Sequence, residues 1–235
     1  MGYRAFNEKT TLGDAEESSI FTVAALEASP HDAIGSLAGA LTALLATVDA
    51  IEGGQRKARH AAIRAGARVR AADGFADDEV REFVKDVLAA VRQDRAAPLY
   101  LAFFQSAPTA LIALSLAPEI EEIERWVAVL AEKSTPAELK KAWSKRWQDV
   151  VDHGRAALEE RKAATAAGVE ASSKATRWIE RADRARRAID GALTSYAAEH
   201  DLPRDFDDRF FPSPPGGRSS KRGKGPGAGD PSVPS

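Results

Sequence analysis

From Trp147 onward, apolar and small residues return at alternating steps of three and four. The series is Val150, Gly154, Ala157, Arg161, Ala164, Gly168, Ala171, Ala175, Trp178, Ala182, Ala185, Ile189, Ala192 and Tyr196. This is the period of a helix with one apolar seam, and Arg161 is its only charged member. Upstream, Thr135, Pro136 and Glu138 offer an N-cap, a first-position proline and an acid three residues after the cap, which predicts a helix over about 136–200. The unbroken register favours one helix over a hairpin turning at Gly168. At about 1.5 Å per residue, such a helix reaches about 97 Å.

A second series, Ile34, Leu37, Leu41, Leu44, Val48, Ile51, Gln55, Ala58, Ala62, Ala65 and Val69, predicts a helix over about 32–72. Gly53 and Gly54 fall inside it as a candidate kink, and Asp73-Gly74 reads as its stop. Shorter apolar faces predict helices over about 77–93, 99–116 and 118–133, the last with Glu119, Glu121, Glu122 and Glu124 crowding its first turns. Before residue 31 the chain mixes Gly2, Asn7, Gly13 and Asp14 with an acidic and serine run, and reads as a loosely ordered arm. The fold class expected is therefore all-α. Its architecture is an elongated helical bundle over 31–205 with long antiparallel coiled-coil-like helices, in which Ala58, Ala62 and Ala65 face the small centre of the 136–200 seam. Residues 206–235 form a Phe-containing segment and then a Pro/Gly/Ser tail, which buries too little apolar area to offset its ordering entropy and is expected to be disordered.

The chain has 235 residues, enough for a sizeable core, and a formal charge of −2, so any electrostatic attraction must be local. It has no cysteine, which removes disulfides, thiolate nucleophiles and thiolate metal ligands. The segment after Met1 lacks a charged-then-apolar leader, and the expected location is cytoplasmic. Heavy use of Ala, and of Arg over Lys, reads as the coding bias of a bacterium with a GC-rich genome.

Two surfaces stand out. Arg56, Lys57, Arg59, His60, Arg64, Arg68 and Arg70 occupy about half the circumference of the 32–72 helix, with no acid between Gly53 and Ala72. Such a face can track a phosphate backbone, pair with acids elsewhere in the bundle, or stay solvated. Phe206, Phe210 and Phe211, set among acids, can dock in a partner groove or fold back on the bundle. The apolar stretch 99–117 is nearly long enough to cross a bilayer, but Gln105, Ser106, Pro108 and Thr109 in its middle suit two short buried helices better. Its four histidines are scattered, and Asp149, Asp152 and His153 have the spacing of a solvated helical face.

Neither catalytic nor cofactor-binding nor metal-ligating residues are therefore expected, and the sequence points away from an enzyme. The leading expectation is a helical scaffold or protein–protein assembly component, with a protein partner or self-association. Nucleic acid on the 56–70 face is the second reading, and a membrane-acting bundle the third. No small-molecule substrate is indicated.

Overall fold

A computed structural model describes residues 3–212. The disordered tail expected beyond Pro212 lies outside the described residues. The fold is all-α: every regular element among the described residues is helical. They are α1 (Leu12–Glu27), α2 (Asp32–Gly35), a 3-10 turn (Ser36–Ala38), α3 (Gly39–Leu45), α4 (Val48–Ala90), α5 (Pro98–Phe103), α6 (Pro108–Ile112), α7 (Leu116–Ala131), α8 (Ala137–Glu199) and a second 3-10 turn (Asp207–Phe210). The chain divides into two compact units: one from the described parts of Met1–Val48 and Trp178–Ser235, the other from Asp49–Arg177.

The 136–200 helix forms as one element with no turn at Gly168. Its seam is buried at Trp147, Val150, Gly154, Ala157, Ala164, Ala175, Trp178, Ala182 and Ile189, and Arg161, the charged member, is exposed. The cap differs from expectation: Thr135 is buried and its hydroxyl donates to the Val129 carbonyl at 2.8 Å. The 32–72 helix is corrected at both ends. It breaks at Ala46-Thr47, between α3 and α4, and passes straight through Gly53-Gly54 and Asp73-Gly74. A glycine stop needs the left-handed conformation, and Gly74 stays right-handed. The apolar register explains why, since Val69, Ala72, Ala76, Val80, Phe83 and Val87 continue across the site and pack in one core. Helix α4 ends at Ala90, and just beyond it Arg92 and Gln93, with φ values of 52° and 66°, turn the chain away.

In the second unit, Phe83 of α4 is the hub of an aromatic cluster. Its ring centroid lies 4.9 Å from Phe103, 5.0 Å from Trp143 and 5.2 Å from both Trp126 and Trp147. Two indoles find partners, as buried indoles generally must: Trp126 donates to the Phe103 carbonyl at 2.7 Å and Trp143 to Asp86 at 2.9 Å. The 99–117 stretch forms the two short helices its polar middle suggested, α5 and α6, rather than one 99–116 helix, because Pro108 cannot continue a helix and the chain leaves the helical conformation at Phe104. The exposed carbonyls at the end of α5 are satisfied by Arg125 of α7, which donates to Ala102 and Phe103 while pairing with Glu122.

The first unit overturns the loose-arm expectation. Thr11 and Asp14 form a capping box that starts α1, and Leu12, Ala15, Ser19, Thr22, Val23 and Leu26 are its buried face. Ser19 and Thr22 fit that face because each hydroxyl donates to a carbonyl one turn back. Trp178 of α8 closes the end of α3, donating to the Leu44 carbonyl at 2.9 Å. Ahead of α1, the Tyr3 hydroxyl and the Phe6 amide both donate to Asp183, at 2.6 and 2.8 Å.

Candidate nucleic-acid interface

Within the second unit, α4 and α8 lie side by side, joined by Arg68–Glu160 at 2.5 Å, Arg146 to Glu79 and Glu82 at 2.6 and 2.8 Å, and the Trp143–Asp86 hydrogen bond. These contacts climb α4 as they descend α8. Ala58, Ala65 and Ala164 are buried where the seam was expected, but Ala62 is exposed. A helix advances about 100° per residue, so Ala62 lies about 60° around α4 from Ala65, outside the narrow seam.

The opposite side of α4 is the basic face. Arg56, Lys57, Arg59, His60, Arg64, Arg68 and Arg70 are all exposed. Arg68, nearest the seam, pairs with Glu160; Arg56, Lys57, Arg59, Arg64 and Arg70 have no ion pair among the described residues. Ile63 stands between Arg70 and Arg56 on this face and is 61% exposed. Residues 49–72 and 156–177 together hold ten basic and five acidic side chains, a formal +5, whereas the whole chain is −2. The remainder therefore carries −7, and positive charge is concentrated on this paired-helix segment.

The other candidates are placed differently. Phe206, Phe210 and Phe211 are all buried in the first unit, which is the fold-back arrangement. Phe206 packs against Tyr196 and Phe210, and Phe211 against Tyr3. The 99–117 stretch contributes Tyr100, Phe103, Phe104, Leu111 and Leu116 to the second unit's core. By length and hydropathy the helical run Asp32–Ala90 contains a window that could cross a bilayer, and within the first unit its Ile34, Leu41 and Leu44 are buried. The exposed His153 donates from Nδ1 to the Asp149 carbonyl at 2.6 Å. Among the described residues, no group of three His, Cys, Asp or Glu side chains is placed to hold a metal ion.

Two buried charges escaped the sequence reading. Glu119 of α7 is fully buried, both carboxylate oxygens lack a hydrogen-bond partner, and its pKa is pushed up to about 8, chiefly by burial and then by Asp77 and Asp73, with Arg81 opposing. Arg186 of α8 is 2% exposed, with its guanidinium 4.5 Å from the Phe6 ring, 5.4 Å from Phe211 and 5.5 Å from Tyr3. Burial holds its pKa below the usual guanidinium value, and the aromatic faces supply the cation with π contacts. Both residues sit at core spacing in the sequence, Glu119 between Leu116 and Ile123 and Arg186 between Ala182 and Ile189, and that spacing was the signal available.

No protein-family model matches the chain, and no curated protein or solved structure matches it.

Proposed function

We propose that this chain is a non-enzymatic helical binding protein that holds a polyanionic partner on the outer face of α4. The observation that carries this reading is the set of five exposed basic side chains, Arg56, Lys57, Arg59, Arg64 and Arg70, none of them ion-paired among the described residues. Like charges three and four residues apart on a helix repel by a few tenths of a kcal/mol per pair, and Arg56 with Arg59 and Arg64 with Arg68 are such pairs. A partner bearing dense negative charge removes that repulsion and gains from it. The test is retention on immobilised heparin. The wild type is expected to bind and to elute only with added salt, while R56E/R59E/R64E/R70E, altered only at exposed positions, passes through unretained with its helical circular dichroism unchanged. Equal retention of the two proteins contradicts the assignment.

The scaffold reading keeps one support of its own. Ala50, Ile51, Gly54, Ala58, Ala61, Ala167 and Ala171, together with Lys57, Glu170 and Lys174, line an open groove of about 530 Å³ within the second unit. A second copy of the chain seated there would cover its apolar lining. Light scattering on the purified protein is then expected to give a dimer that Ala167→Glu, at an exposed lining position, converts to monomer, and a wild-type monomer at high concentration removes this support.

A further inference from the structure

We propose that the polyanion is duplex DNA and that α4 enters its major groove, an inference that rests on the polyanion reading above. The argument begins with how the charges are arranged around the helix. At about 100° per residue, Arg59, Arg70, Ile63, Arg56, His60, Arg64 and Lys57 follow one another around about 160° of α4. The buried Ala58 and Ala65 lie on the side away from them. Cations thus stand on both flanks of a ridge, with Arg56 and His60 at its crest and Ile63 between Arg56 and Arg70. A flat anionic surface, such as a lipid bilayer, meets the crest and leaves the flanks in water. A groove walled on each side by a phosphate row meets both flanks at once.

The dimensions agree. A helix with its side chains is about 10–12 Å across and the B-form major groove is about 12 Å wide. From Arg56 to Arg70 the axis advances about 21 Å, less than one DNA turn of about 34 Å, so the strip stays within one passage of the groove. Acids mark its ends: Glu52 comes one turn before Arg56 and Asp73 one turn after Arg70. The exposed Ile63 also fits. An exposed isoleucine contributes nothing to a phosphate contact, but in a major groove it faces base edges and the thymine methyl group.

The composition of the strip argues against other polymers. Proteins that hold single strands stack bases on aromatic rings, and residues 53–72 contain no Phe, Tyr or Trp. Duplex RNA presents a major groove too narrow and deep for side chains to read. Because the contacts are to phosphates, binding should weaken steeply as salt is added.

The experiment is fluorescence anisotropy of a labelled DNA duplex of about 20 base pairs, with unlabelled competitors. Duplex DNA is expected to bind at least tenfold more tightly than the single strand of the same length, polyglutamate or phosphatidylserine vesicles. Ile63→Glu is expected to weaken duplex binding about tenfold while leaving the circular dichroism unchanged. Methyl green, which occupies the major groove, should displace the protein, and the minor-groove ligand distamycin should not. Equal binding of the single strand, polyglutamate or vesicles overturns the duplex assignment and leaves the polyanion reading in place. Displacement by distamycin alone overturns the major-groove placement, and failure to bind any polyanion overturns both readings.

Discussion

Gly154→Leu is expected to abolish the folded second unit, and Gly154→Ala to cost it about 1–3 kcal/mol. An ideal Cβ at Gly154 would lie 2.4 Å from Ile120 Cδ1 and 2.7 Å from Ile120 Cγ1, closer than real side-chain atoms approach. Ile120 is itself 3% exposed and belongs to the same core as Leu116, Ile123 and Trp147, so it has little room to retreat. Position 154 is therefore a glycine for reasons of space, because α7 and α8 touch there through its missing side chain. Chemical denaturation followed by near-ultraviolet circular dichroism measures the cost. Ile120→Ala should also be destabilising on its own, by about 2–5 kcal/mol. In the double variant Gly154→Ala/Ile120→Ala the new methyl enters the space the isoleucine leaves, so the two costs should sum to more than the observed loss. Strict additivity would contradict the contact.

The stability of the second unit is expected to fall as pH rises from about 5 to about 8, and Glu119→Gln should remove most of that fall. The carboxyl of Glu119 has an ordinary value of 4.5 and is pushed up to about 8 in the fold, first by burial and then by Asp77 and Asp73. Between those values the folded chain holds a proton that the unfolded chain has released. Folding then takes up a proton, and raising the pH works against it. Below about 4.5 both states are protonated and the stabilisation is complete; above about 8 both are ionised and it is lost. The slope is at most about 1.4 kcal/mol per pH unit, so the loss across the window reaches up to about 5 kcal/mol, or roughly 10 °C in melting temperature. Glutamine keeps the shape and cannot ionise, so its melting profile should be flatter over the same range. A wild-type profile as flat as that of Glu119→Gln contradicts the buried neutral acid.

How far the sequence foretold all this varies from place to place, for physical reasons. The long helix α8 was legible because its seam kept one period from Trp147 to Ile189, and a period survives whatever packs on it. The same rule, applied less strictly, was available at Asp73-Gly74. The apolar register runs through that dipeptide, and a local stop signal worth about 1 kcal/mol yields to the burial of Ala76, Val80 and Phe83. Helix α1 was missed because Ser19 and Thr22 occupy its inward face and look polar until their hydroxyls are bonded to their own helix. Glu119 and Arg186 were missed for the same reason in stronger form: composition places charges outside, and only the fold shows which ones are inside. The basic face was fully legible as a cluster, since its members are local to one helix. What the sequence left open was whether acids elsewhere neutralise it, and among its six Arg and Lys side chains only Arg68 is so engaged.

The salt dependence of duplex DNA binding tests the basic face most directly. Each phosphate contact contributes about −0.9 to the slope of log Kobs against log salt concentration. With Arg56, Lys57, Arg59, Arg64 and Arg70 free to make such contacts, the wild type is expected to show a slope of about −3 to −5, and each single Arg→Gln change at these positions should reduce its magnitude by about 0.9. A slope near zero, or one that the substitutions leave unchanged, would contradict a phosphate-binding face on α4.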